Sequence, residues 1–305
     1  MSNKILWKNI ILYIYPIVIL VGVFGNILAF IIFSRKNFKN TIFRVYFRVL
    51  VINDIYTLSY LATSNFLDGI YEIVLINGSD LLCKLKYISI YAIPANSSWV
   101  LVVISLDRSI SIIKPKKFSF KNNYLFQICV CVFITLFNLV YYFQLYFSKI
   151  ETINSNNSTN NTKCNYYDPN NTLDWLDFFN SILIPFILMI IFTIVSLKSI
   201  FNSRKKVRNI SSTKNTDKTY VKDTKFATTS IVLNLLFLTL NMPSYVYNII
   251  RMYSDISNEN KHLIEAIVFL FYYVNFGSVF FINALFNSLF KQELKVFFSA
   301  IGNRM

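Results

Sequence analysis

The run CKLKYISIYAIPANSSWVLVVISLDR, residues 83–108, decides the fold. A cysteine opens it, an Asp-Arg pair closes it, and the residues between are largely apolar. As a helix it rises about 37 Å at 1.5 Å per residue, more than the about 30 Å hydrocarbon core of a bilayer. Cys83 therefore falls near one membrane face and Asp107-Arg108 near the other.

The rest of the chain has the composition of a membrane protein. Of 305 residues, 55% are hydrophobic and only 15% charged, against about 25% charged in soluble domains. The formal net charge of +15 could suit nucleic acid, but the basic residues fall between apolar runs and form no single stripe, so no nucleic-acid partner is expected. A single histidine, His262, and four scattered cysteines offer no metal cluster. No Gly-rich phosphate loop or G-x-S-x-G elbow is present, so no enzyme is expected.

Seven apolar runs lie near 10–33, 46–67, 84–113, 124–147, 174–201, 226–251 and 262–288. Each is long enough to cross the hydrocarbon as a helix, and none alternates as a barrel strand does. The fold class is an all-α membrane protein, a seven-transmembrane helix bundle over 10–288. A segment at 290–300 places Phe290, Leu294, Phe297 and Phe298 among charged residues, the pattern of a short amphipathic helix within 289–305. The first run lacks a small-x-small cleavage site and is followed by SRKNFK, which reads as an uncleaved span with a cytoplasmic stop. With 1–9 outside, most of the 30 basic residues fall on the inner side, RKKVR at 204–208 among them. The positive-inside rule fixes that orientation, and the inner basic loop suits anionic membrane lipids.

Outer-loop features agree with this topology. Sequons begin at Asn77, Asn156, Asn157, Asn160 and Asn170 on the outer side, and an Asn-rich chain also yields them by chance at Asn96 inside a span and Asn209 on the inner side. Cys83 and Cys164 share the oxidising side, which allows a disulfide between them; Cys129 and Cys131 lie inside a span.

Polar residues inside apolar helices are expensive, so each is a candidate for function. Asp54 stands near the middle of the second run, with Asn26, Ser97, Asn241 and Asn283 in others. Asp54 reads either as an ion or proton site or as a hydrogen-bond hub; interhelical amides are common glue. Asp107 and Arg108 read either as solvated charges at a helix end or as a clamp, with Asp223 of run six as Arg108's partner. Pro94, Pro185 and Pro243 each remove a backbone donor within a span.

Taken together these residues resemble the rhodopsin-like (class A) G-protein-coupled receptors over nearly the whole chain. Gly25-Asn26 and Asp54 stand where that family has its run-one and run-two signatures. The interval from Cys83 to Arg108 is the family's own. Asp107-Arg108-Ser109 corresponds to Asp/Glu-Arg-Tyr, Pro185 to the run-five proline, Leu240-Asn241-Met242-Pro243 to Cys-Trp-x-Pro, and Asn283-Ala284-Leu285-Phe286-Asn287 to Asn-Pro-x-x-Tyr. The resemblance implies a plasma-membrane, multi-pass receptor with its N-terminus outside, passing an extracellular ligand's signal to a heterotrimeric G protein. It implies a sodium pocket at Asp54, Ser97 and Asn283, with Val279 where an asparagine is usual. Arg108 would meet the G protein in the active state and Asp223 in the resting state. Phe237 and Pro185 match members of the transmission core.

Several positions depart from the family. The toggle tryptophan is Asn241, the run-seven proline Ala284 and its tyrosine Asn287, the run-five tyrosine Thr193, and the run-four tryptophan is missing. These departures keep a non-signalling or decoy receptor of the same fold as an alternative. A transporter or channel using Asp54 is a third reading, but it predicts internal repeats that are absent from the sequence.

Ligand class is narrowed by two positions. Ile90 stands where aminergic receptors carry an aspartate, and Gly277 where opsins carry the retinal lysine. The outer half instead offers Asp68, Asp174, Asp177 and Glu265. Helical counting brings Tyr91, Tyr245, Asn248, Phe269 and Tyr273 to pocket depth. Acids among aromatics suit a basic, aromatic peptide, and a likeness to invertebrate neuropeptide receptors of the FMRFamide type points the same way.

Overall fold

A computed structural model describes residues 3–38, 43–71, 73, 80–113, 124–147, 150–154, 162–166, 172–209, 214–253 and 258–302. All seven apolar runs are helices, as lipid demands of a chain that must satisfy its own backbone. Helix α1 comprises Asn3–Asn9, a π-helical turn Ile10–Ile14 and Tyr15–Ser34. Helix α2 comprises Arg44–Tyr56, a π turn Thr57–Ala62 and Thr63–Tyr71. Helix α3 is Asp80–Ile113, and α4 is Tyr124–Tyr142 followed by a 3-10 turn Phe143–Phe147. An antiparallel hairpin, β1 Ile150–Asn154 and β2 Thr162–Tyr166, pairs Thr152 with Cys164 and lies against α3. Helix α5 comprises Thr172–Asp177, a π turn Phe178–Leu183 and Ile184–Asn209. Then come α6 Lys214–Tyr253, α7 Asn258–Phe286 and α8 Ser288–Gly302.

Two boundaries differ from the sequence reading. The first helix already starts at Asn3, within the expected N-terminal segment 1–9. Apolar Ile5, Leu6 and Trp7 carry the pattern toward the chain start, and the Trp7 ring meets His262 of α7 tilted, at 5.4 Å. The amphipathic helix is longer than 290–300 at both ends. Among the described residues five helices are long and apolar enough to cross a membrane by length and composition: Ile5–Ser34, Leu81–Ser111, Tyr124–Tyr146, Thr172–Ser199 and Asn260–Phe286. Run two is diluted by Asn53, Asp54 and Asn65, and its helix is held by interhelical hydrogen bonds from Ser97 to Asp54 and from Asn65 to Tyr273.

Helices α1 and α7 approach until their backbones touch. A Cβ on Gly277 would lie 3.3 Å from the Cα of Gly22, and a Cβ on Gly22 would meet Leu58 at 2.7 Å. Small residues permit such contact in membrane bundles. One turn along, Asn26 Nδ2 donates to the Phe276 carbonyl at 2.8 Å. Gly277 is thus a packing residue, which adds a physical reason to the chemical one for having no lysine there.

Where α1, α2 and α8 meet, aromatics and a partly buried ion pair tie the helices together. Phe33 stacks on Phe47 at 4.8 Å and meets Phe38 and Phe290 at 5.2 and 5.1 Å. Arg35 Nε bonds Glu293 Oε2 at 2.6 Å, and Asn37 donates to the other oxygen. Glu293, 2% exposed, thereby anchors α8 to the turn after α1. Asn287 separates α7 from α8 and caps the latter. Its Oδ1 accepts the Phe290 N–H at 3.2 Å, and its Nδ2 donates to Asn283 Oδ1 at 3.2 Å. A cap of this kind contributes about 1 kcal/mol.

Candidate functional site

The outer half of the bundle encloses a cavity of about 340 Å³, within the range of small-ligand pockets. Its walls follow from helical period. From α3 come Lys86, Tyr87, Ile90, Tyr91 and Pro94; from α6 Ser244, Tyr245, Asn248 and Arg251; from α7 Phe269, Tyr272 and Tyr273. Helix α2 adds Leu61, Ser64, Asn65 and Asp68, and α5 adds Asp174 and Asp177. All seven residues expected at a ligand site, Asp68, Tyr91, Asp177, Tyr245, Asn248, Phe269 and Tyr273, therefore line one cavity. Asn65 donates to the Tyr273 hydroxyl across α2 and α7.

Sequence reasoning missed two cations on this wall, Lys86 and Arg251, because both sit near helix ends where charges look merely solvated. Glu265 does not line the cavity with the other acids. It pairs with Arg251 at 3.4 Å, accepts from Tyr247 at 3.3 Å and lies 3.7 Å from His262. Glu265, one of the acids of that half of the bundle, has its charge engaged between α6 and α7.

Asp177 is tied into the bundle. The Tyr142 hydroxyl and Ser181 Oγ both donate to its Oδ1 at 2.6 Å. Asn180 donates to Asn138 at 3.0 Å and to the Tyr142 hydroxyl at 3.3 Å, and Trp99 Nε1 donates to Asn180 at 3.1 Å. This chain joins α3, α4 and α5 beneath the cavity. The π turn just inside Asp177 adds a residue to the helix and shifts its register, which brings Asn180 and Ser181 to the buried side.

Asp54 is 1% exposed, and Ser97 Oγ donates to its Oδ1 at 3.2 Å. Asn283, near the end of α7, is fully buried, but its Nδ2 bonds the Val279 carbonyl at 2.9 Å and its Oδ1 accepts from Asn287. Asn26 Oδ1 is buried with no hydrogen-bond partner among the described residues. A carboxylate and a hydroxyl are donor chemistry a small hard cation takes; Val279 contributes none.

At the inner end Arg108 is 5% exposed, its guanidinium 3.6 Å over the Phe43 ring. Asp107 is also buried. The side chain of Asp223 lies outside the described ones, as does that of Cys164 and every sequon asparagine. Cys83 is buried and disulfide-bonded. Phe237 is buried and Pro243 lies within α6.

The altered switch positions carry a polar network of their own. Asn234 Nδ2 donates to Ser105 Oγ at 2.9 Å and to Thr193 Oγ1 at 3.2 Å, joining α6 to α3 and α5. Ser109 Oγ reaches the Phe192 carbonyl at 2.7 Å and Ser196 Oγ at 2.9 Å. Asn241 Nδ2 donates to the Phe237 carbonyl at 2.8 Å. Thr193, Ser109, Asn241 and Asn287, four of the departures, are thus all hydrogen-bonded.

No curated protein matches the chain. The family model described as 7 transmembrane receptor (rhodopsin family) matches residues 25–279. That span runs from the Gly25-Asn26 contact through the Arg108 end of α3 to Val279 beside Asn283, and the chain belongs to the rhodopsin family of seven-transmembrane receptors.

Proposed function

We propose that this receptor binds a basic, aromatic peptide in the outer cavity, at the plasma membrane with its N-terminus outside, and passes the signal to a heterotrimeric G protein. The observation that carries the ligand class is the placement of Asp174 and Asp177 one helical turn apart on a wall shared with Tyr91, Tyr245 and Tyr272. Two carboxylates beside aromatic faces suit a guanidinium through charge-assisted hydrogen bonds and cation–π contact. Members of this family are receptors, not enzymes, so the chemistry is binding and a shift between conformations. A Cys83–Cys164 bond would hold the β hairpin over the cavity mouth; Cys129 and Cys131 are free thiols. Glycans at Asn77, Asn156, Asn157, Asn160 or Asn170 belong to the same outward orientation. The test is a G-protein nucleotide-exchange screen of receptor-bearing membranes against amidated, Arg-containing peptides of the FMRFamide type. Exchange evoked by Arg-containing members and lost when arginine becomes citrulline is the expected result. Binding without exchange supports the second reading, a decoy, which Ala284 and Asn241 favour.

Asp54 and Ser97, with Asn283 as the third expected residue, would hold a sodium ion. When bound, the ion supplies a positive charge against the buried carboxylate. Purified wild type is expected to melt higher in sodium chloride than in equimolar choline chloride, and Asp54→Asn to melt alike in both. Equal melting of wild type in the two salts removes sodium from the site.

A further inference from the structure

We propose that Arg44 and Arg48 form a binding site for the headgroup phosphate of an anionic phospholipid, on the outer face of α2 in the cytoplasmic leaflet. The two arginines stand one helical turn apart. The next residue on the same stripe, Ile52, is 51% exposed, and on the adjoining helix Ile27 and Ile31 are 44% and 38% exposed. These apolar side chains face lipid, so the stripe that carries both arginines faces lipid too. Charged side chains on such a face are rare unless something at the headgroups receives them.

Depth supports the assignment. Arg44 precedes the mid-span Asp54 by about 15 Å of helix, half of a roughly 30 Å hydrocarbon core. Its guanidinium belongs at the phosphate boundary, and Arg48, one turn deeper, reaches the same boundary by extending along the helix. Each side chain is partly exposed, and each Nε is buried with no hydrogen-bond partner among the described residues. Neither arginine has an ion pair among the described residues, whereas Arg35 and Arg251 do. Arg48 lies over the Phe30 ring of α1 at 5.0 Å, which fixes the side chain without neutralising it. The first turn of α2 has no acidic residue and no side-chain cap. No acid of α2's own first turn offsets the two charges, and two planar forks on one stripe match a phosphate's oxygens. The leaflet rests on the orientation proposed above; the binding itself does not.

Detergent-purified receptor, incubated with equal phosphatidic acid and phosphatidylcholine, is to be read by native mass spectrometry. Wild type is expected to retain phosphatidic acid selectively, and Arg44→Gln/Arg48→Gln to bind it roughly 10- to 30-fold more weakly. Arg44→Lys/Arg48→Lys keeps the charge and should retain part of the selectivity, which separates lost recognition from lost fold. A glutamine variant with wild-type lipid retention overturns the proposal. So does competition by inorganic phosphate at equal concentration, which would make the site one for free anions.

Discussion

Asn234→Leu is expected to raise ligand-independent nucleotide exchange several-fold. Asn234 is 8% exposed and ties the inner half of α6 to Ser105 of α3 and Thr193 of α5. We propose that signalling moves this half of α6 away from α3 and α5, and both bonds must then break. Interhelical hydrogen bonds in membranes contribute about 0.6 kcal/mol on average and up to about 2. Two together hold the resting state by about 1–2 kcal/mol, a factor of about 5–30 in the equilibrium. Leucine fits the volume and leaves α6 otherwise intact, so melting should fall only slightly. Ser105→Ala removes the same tie from the other helix and should raise basal exchange comparably, and the double variant should add little. Folded variants with unchanged basal exchange, in a receptor that does respond to ligand, would show that Asn234 holds no resting state.

The sequence reading and the structure agree where helical period alone sets position. Ile90, Tyr91 and Pro94 recur at intervals that put them on one face of α3, and the structure finds all three on the cavity wall. Asp54 and Ser97 were brought together by the resemblance to the receptor family, which no periodicity supplies, and they meet at 3.2 Å. What could not be read depends on partners far along the chain. Tyr142 and Asp177 are separated by a loop and a hairpin, and nothing in either local pattern names the other. The π turns are equally silent, because one extra residue in a helix leaves no mark on an apolar run. Asn234 was missed for another reason. It sits in an otherwise apolar stretch, and its partner Thr193 registers in the sequence only as a tyrosine lost. Physically the loss and the new asparagine are one feature: a shorter hydroxyl at α5 leaves space that an amide on α6 spans. Asn287 makes the same point at the α7–α8 junction, where a missing tyrosine is also a helix cap.

Asp177 carries the other large effect, and its geometry dictates which substitution tests it. Asp177→Asn is expected to weaken an arginine-containing agonist by about 10- to 100-fold, the loss of one charge-assisted hydrogen bond of about 1.5–3 kcal/mol. The asparagine keeps an Oδ1 for the Tyr142 and Ser181 hydroxyls, so the bundle beneath the cavity should stay folded. Asp177→Ala is a poorer probe. It removes the acceptor both hydroxyls share and leaves Tyr142 and Ser181 only each other at 3.0 Å, so one buried O–H loses its partner at about 1–3 kcal/mol, and the resulting loss of response would mix binding with folding. Three readouts separate the cases. Surface expression and melting should be near wild type for asparagine and reduced for alanine. Agonist potency should fall in both. Potency of the citrulline-substituted peptide, already low, should be the same on wild type and Asp177→Asn, since neither pair retains the ionic contact. If asparagine folds normally and the arginine peptide keeps its full potency, Asp177 is only the anchor of the α4–α5 hydroxyl network. The cation would then have to be met by Asp174 or Asp68, the two other carboxylates on that wall.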